Sequence, residues 1–115
     1  MHNYKEYKTL IEEMLNEMNL DEAGKLILEY EEIAPMDMDL LTYKYMYFLY
    51  GNEWDDALQY ALLGVRRYPL NGDMYYNLAY IYELKDNLFS ASENYVKAWF
   101  IYEYTRDKKL EYLHI

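Results

Sequence analysis

The sequence predicts an all-α protein made of three similar helical hairpins that stack into a solenoid. Alanine recurs at a step of 34 residues, as Ala23, Ala57 and Ala91. Pro35 and Pro69 are separated by the same step. A fixed period of this length is typical of helical-hairpin repeats, in which each unit buries its apolar face against the next. The chain of 115 residues is long enough for one such domain, and we expect it to span 1-115.

Turn and capping residues divide the chain into six predicted helices. Asn19 and Asn87 are N-cap residue types placed before the second helix of a hairpin, and Gly51-Asn52 gives the corresponding turn in the middle unit. Between units the two prolines end helices, and Asn71-Gly72 forms a turn before Asp73, which we expect to cap the next helix. The predicted helices cover about 4–17, 20–33, 39–50, 54–67, 73–85 and 88–104.

The three units, about 4-37, 38-71 and 72-105, share the register of a known repeat. The third is the clearest, with the pattern Tyr75-x2-Leu78-Ala79-x2-Tyr82 followed by Ala91-x3-Tyr95 and Ala98. It resembles the tetratricopeptide repeat (TPR), whose pattern is W-x2-L-G-x2-Y, then A-x3-F and proline. The resemblance covers about nine-tenths of the chain. It implies a right-handed α-solenoid of three TPR hairpins.

The sequence departs from the TPR pattern at two places. Lys44 and Tyr45 stand where the pattern has leucine and a small residue, so the facing residues of the third helix are the least defined. Glu103 stands where proline would end the last helix. An apolar stripe then continues through Leu110 and Leu113, so we expect a C-terminal extension, 106-115, with the helix running to about residue 112.

Composition argues against catalysis and against most ligand classes. The two histidines, His2 and His114, lie at the ends of the chain, and there is no cysteine. Adjacent acidic pairs such as Glu12-Glu13 point about 100° apart on a helix, so they do not converge on a metal or a proton. We therefore expect no enzyme activity, no cofactor and no metal. The 21 acidic against 11 basic residues also disfavour nucleic acid.

The sequence also lacks a membrane segment or a signal peptide, since no apolar run approaches the roughly 20 residues that cross a bilayer. We expect a cytoplasmic protein. The acidity is concentrated in residues 1–37, which hold ten acidic residues against three lysines. A basic partner surface and simple solubility both explain this asymmetry.

The resemblance implies a concave groove, lined by the first helix of each unit, that binds a protein or peptide. Rigid aromatic side chains give contact area at low entropic cost, so a tyrosine-rich groove suits such a partner. Packing against the neighbouring helix is the alternative for Tyr43, Tyr76 and Tyr80. The groove-facing positions retained as partner-binding candidates are Lys8, Glu12, Leu15, Tyr43, Met46, Leu49, Tyr50, Tyr76, Asn77, Tyr80 and Glu83.

One known TPR function is excluded by residue types. Co-chaperone TPR domains hold a C-terminal carboxylate with Lys, Asn, Asn, Lys and Arg. The matching positions here are Lys8, Glu12, Tyr43, Asp73 and Asn77. Only the first agrees, and two carboxylates stand where a carboxylate must bind, so like charges repel it.

The last helix is too apolar for one buried stripe. Trp99, Phe100 and Tyr102 follow Tyr95 closely. Since terminal repeats normally present a polar outer face, we expect a homodimer through this helix or docking to a further domain. The leading hypothesis is a non-catalytic interaction scaffold. The alternative is an N-terminal module of a larger enzyme, because the stretch from Asn77 to Lys85 is similar to bacterial TPR modules that precede glycosyltransferase domains.

Overall fold

The computed structural model describes the backbone of residues 2–113 and the side chains of residues 2–106. The described part consists of six α-helices joined by short turns. Their bounds are α1 Tyr4–Asn16, α2 Leu20–Ile33, α3 Met38–Tyr50, α4 Trp54–Arg67, α5 Gly72–Leu84 and α6 Leu88–Leu113. Five of them agree with the predicted bounds to within a residue, and α6 continues past Glu103 as expected. The side chains of Leu110 and Leu113, and all of His114, lie outside the described residues.

The turn inside each hairpin has the same geometry at the same 34-residue step. Met18, Asn52 and Asp86 all have left-handed backbone, with φ of 59°, 60° and 62°. In each turn the residue that follows donates its N–H to a carbonyl five residues back, as Asn19 does to Met14 at 2.9 Å. This is the Schellman ending of a helix. The repeat is therefore visible in the backbone as well as in the alanines.

Most of the predicted capping residues act as expected. The side chain of Asn19 accepts from the N–H of Glu22, and that of Asn87 accepts from Ser90. One cap differs from the prediction. Asn71, and not Asp73, caps α5 by accepting from the N–H of Asp73 at 2.9 Å. The helix begins one residue earlier than predicted, at Gly72, and this leaves the Asp73 carboxylate available for another bond.

The chain divides into two compact units, Met1–Tyr60 and Ala61–Ile115, which differ from the three sequence repeats. We call them unit 1 and unit 2 from here on and describe them separately. In unit 1, α1, α2 and α3 pack around a core that includes the fully buried Ile11 and Leu15. In unit 2, α5 packs against α6. Ala23, Ala57 and Ala91 are all buried, as expected for residues at helix crossings.

Two glycines in unit 2 allow particularly close approach. A Cβ atom at Gly64 would lie 2.7 Å from the sulfur of Met74, and one at Gly72 would lie 2.6 Å from the ring of Tyr102. Real Cβ atoms essentially never make contacts this short. Gly72 therefore lets the ring of Tyr102, on α6, lie directly against the start of α5.

Candidate partner-binding surfaces

The predicted groove residues of unit 1 are largely engaged with one another or with the core. Lys8 on α1 donates to Asp39 at 2.8 Å and lies 3.2 Å from Asp37. Tyr30 donates its hydroxyl to the same Asp37 at 2.7 Å. The hydrogen bond to Asp39 raises the pKa of the Lys8 ammonium, although desolvation acts the other way. Lys8, the one residue that matches the chaperone clamp, is thus already ion-paired with carboxylates of unit 1.

A second polar link joins α1 to α3. The hydroxyl of Tyr43 donates to the carboxylate of Glu12 at 2.5 Å. Tyr43 is only 4% exposed, so burial, together with this bond, raises the pKa of its hydroxyl above the ordinary range. The sequence left open whether Tyr43 faces the groove or packs against a neighbouring helix. In the structure its side chain is packed.

Two predicted surface residues need correction. Leu15 is fully buried, and Tyr43 has almost no exposed area. Both side chains belong to the core of unit 1. Leu15 on α1 and Tyr43 on α3 point toward the region where α1, α2 and α3 pack together. Met46 and Tyr50 are partly buried against the same core, and Leu49 is partly exposed.

The predicted groove residues of unit 2 are more accessible. Tyr76 is 50% exposed and Tyr80 is 38% exposed, while Glu83 is exposed and Asn77 is half-buried. Along α5, Tyr76 lies three residues after Asp73, and Tyr80 lies three residues before Glu83. The two tyrosines are four residues apart, so this spacing places all four side chains on one face of the helix. The face therefore presents two phenol rings flanked by two carboxylates.

Side chains of α6 complete this face. Tyr95 donates to Glu83 at 2.6 Å, and its ring packs edge-on against that of Tyr76 with centroids 5.4 Å apart. Tyr102 donates to Asp73 at 2.5 Å. Burial, followed by these hydrogen bonds, raises the pKa of both hydroxyls. We call Asp73, Tyr76, Tyr80, Glu83, Tyr95 and Tyr102 the tyrosine face of unit 2.

The sequence assigned Tyr95 and Tyr102 to a separate docking surface with Trp99 and Phe100. The structure brings the two tyrosines to α5, whereas Trp99 and Phe100 are 56% and 61% exposed, with their ring centroids 4.9 Å apart. Phe89 and Val96 are also exposed. On a helix, Phe89, Val96 and Phe100 are spaced to share one stripe. We call Phe89, Val96, Trp99 and Phe100 the outer face of α6.

Other kinds of site are not seen in the described part of the chain. No group of three or more histidine, aspartate or glutamate side chains there is arranged to hold a metal ion. None of the described helices is both long enough and apolar enough to span a bilayer.

Comparison with known proteins agrees with the hairpin architecture. A solved structure of MamA (MSR-1, C2), a TPR-containing protein, superposes on 90% of this chain with a TM-score of 0.74. The fold is that of a TPR protein. The two sequences are 19% identical, and the match spans 59% of the MamA chain. Neither a protein-family model nor a curated protein matches the sequence.

Proposed function

We propose that this protein is a non-catalytic interaction scaffold that binds a basic peptide segment of a partner on the tyrosine face of unit 2. The observation that carries the proposal is the exposed pair Tyr76 and Tyr80, which lie between Asp73 and Glu83 on one face of α5. The TPR fold supports an interaction role in general.

The chemistry of the face favours cationic side chains. An arginine or lysine over a tyrosine ring gains about 0.5–1 kcal/mol at an exposed site. The carboxylates of Asp73 and Glu83 add attraction that salt weakens. The hydrogen bonds from Tyr95 and Tyr102 hold these carboxylates in place, so the face is ordered before a partner binds. The chain's net charge of -10 lies within residues 1–60, and residues 61–115 hold seven acidic and seven basic residues, so the attraction at this face comes from Asp73 and Glu83 themselves.

Quantitative affinity capture from the native cell tests this function. The bait is the full chain, and the test variant carries Tyr76→Ala and Tyr80→Ala. Tyr4→Ala is the control, since Tyr4 is also an exposed tyrosine but lies in unit 1. We expect a partner that wild type and control retain, that the double variant loses and that high salt releases. Equal capture by all three baits would move the site away from the tyrosine face.

The outer face of α6 supports a second interaction. Each of its four side chains is more than half exposed, which is uncommon for a cluster of large apolar residues on a monomer. We propose that this face joins two copies of the chain into a homodimer. The alternative is that a further domain covers this face, as expected if the chain is a module of a larger enzyme. Light scattering at increasing concentration distinguishes them, because a strict monomer at high concentration rules out the homodimer.

A further inference from the structure

Unit 1 contains a cleft that the interaction surfaces above do not use. It lies between α2, α3 and the first half of α4, and it has a volume of about 450 Å³. Its lining includes Gly24, Ile27, Tyr47, Phe48 and Tyr60. This volume is within the range of about 300–1,000 Å³ that is usual for small-ligand sites.

One wall of the cleft is aromatic. The rings of Phe48 and Tyr60 are stacked, with centroids 5.6 Å apart and planes within 6° of parallel. Tyr47 meets Phe48 edge-on at 5.2 Å. Flat aromatic walls favour planar aromatic partners, since offset-stacked and edge-to-face ring pairs are favourable beyond the burial of their area.

Glycine on α2 allows the Tyr47 ring to pack closely beside the cleft. A Cβ atom at Gly24 would lie only 3.0 Å from the ring of Tyr47. The position 34 residues later, Leu58, carries a large side chain instead. Gly24 therefore leaves room for the Tyr47 ring to lie directly against α2 at the edge of the cleft.

The polar groups in the cleft balance one another. Lys44 forms an ion pair with Glu31, and its ammonium lies 5.4 Å from the centre of the Tyr60 ring. Asp21 and Lys25 contribute one further charge of each sign. Lys44 also departs from the repeat, because leucine stands 34 residues on either side, as Leu10 and Leu78. A lining without net charge favours an uncharged ligand.

We propose that this cleft binds one uncharged planar aromatic group. The group stacks within the wall of Phe48 and Tyr60, passes over Gly24 and contacts Ile27. Its source is either a free small aromatic molecule or an aromatic side chain of a bound peptide, and the two share the same chemistry. This site is independent of the tyrosine face in unit 2.

NMR titration of the full chain with indole tests the proposal. We expect saturable shifts of the backbone amides of Gly24, Lys44 and Tyr60, with intermolecular NOEs from indole to the Ile27 methyl groups. The variant Tyr60→Leu, which keeps apolar bulk but removes the ring, should weaken binding at least fivefold. Tyr80→Leu in unit 2 is the control and should leave it unchanged. The NOEs do not depend on whether the Tyr60 variant folds.

Four comparison ligands sharpen the result. Cyclohexanol, indole-3-acetate and tryptamine should each bind more weakly than indole. A capped Gly-Gly-Trp-Gly-Gly peptide that binds more tightly than indole indicates a partner side chain, whereas binding of indole alone indicates a free molecule. The proposal is overturned by shifts that do not saturate, by cyclohexanol binding as well as indole, or by tighter binding of either charged analogue.

Discussion

Units 1 and 2 use tyrosines and carboxylates in opposite ways. In unit 1 Tyr43 is buried and its hydroxyl holds Glu12, so the pair links α1 to α3. In unit 2 the bonds from Tyr95 to Glu83 and from Tyr102 to Asp73 link α6 to α5 but leave Tyr76 and Tyr80 accessible. The same residue types therefore stabilise packing in one unit and frame an exposed surface in the other. A position in the repeat does not by itself tell which role a tyrosine has.

Truncating a tyrosine in each unit should give the largest difference. Tyr43→Ala removes a buried ring and leaves a cavity, so the free energy of unfolding should fall by about 3 kcal/mol. Tyr76→Ala removes a half-exposed ring and should cost less than about 1 kcal/mol. Urea unfolding followed by circular dichroism measures both. Equal losses would show that the two rings are packed alike and would remove the contrast.

High pH should weaken the polar links. Burial, together with the hydrogen bond to Asp37, raises the pKa of Tyr30 to about 12, above its value near 10 in an unfolded chain. The folded state then holds the proton more tightly, so the contribution is complete below pH 10 and is lost as pH rises through 12. We expect a loss on the order of 1–2 kcal/mol from this group between pH 10 and 12.

Tyr30→Phe is the matched variant for this test. It has no proton to lose, so its stability should fall less steeply than that of wild type over the same pH range. Parallel curves for the two proteins, measured by urea unfolding at each pH, would show that Tyr30 does not contribute to the alkaline loss.

Breaking the ion-pair network of unit 1 should have a smaller effect. Lys8→Met keeps the apolar part of the side chain but leaves Asp37 and Asp39 without their cation. We expect a loss on the order of 1 kcal/mol, reduced in high salt. Lys5→Met, at an exposed position of the same helix, is the control and should change little. Thermal unfolding at low and high salt measures both, and a salt-independent loss would contradict the electrostatic explanation.

The smallest effect should come from the turns, where the two units are alike. Met18 in unit 1 and Asp86 in unit 2 have the same left-handed backbone. Glycine adopts it without the steric cost that Met18 has, so Met18→Gly should stabilise the protein by about 0.5–1 kcal/mol. Asp86→Gly should gain less, because aspartate tolerates this region better. Melting temperatures of wild type and the two variants measure these changes. A lower melting temperature for Met18→Gly would contradict the interpretation that the backbone at Met18 is strained.

The helices were predictable from the sequence because their signals are local. The prolines and the asparagine caps each act within one turn of a helix, and the 34-residue step shows where these local signals recur. The choice of Asn71 over Asp73 as a cap was not predictable, since both are good capping residues and lie only two positions apart.

The surface was less predictable because it depends on packing between helices. The resemblance to TPR proteins places Leu15 and Tyr43 on a face of a helix but does not say how closely the helices meet there. Similarly, the bond from Tyr102 to Asp73 joins residues 29 positions apart, and it requires the close approach at Gly72. No signal in the periodicity alone identifies that pair.

Site-specific photocrosslinking in the native cell tests the central claim most directly. A photoreactive phenylalanine analogue is placed at Tyr76 or Tyr80 in unit 2, and at Tyr4 in unit 1, in separate full-length chains. We predict a discrete adduct with the same partner from both unit 2 positions and none from Tyr4. Adducts from Tyr4 alone, or from none of the three positions, would contradict the assignment of the tyrosine face as the partner-binding surface.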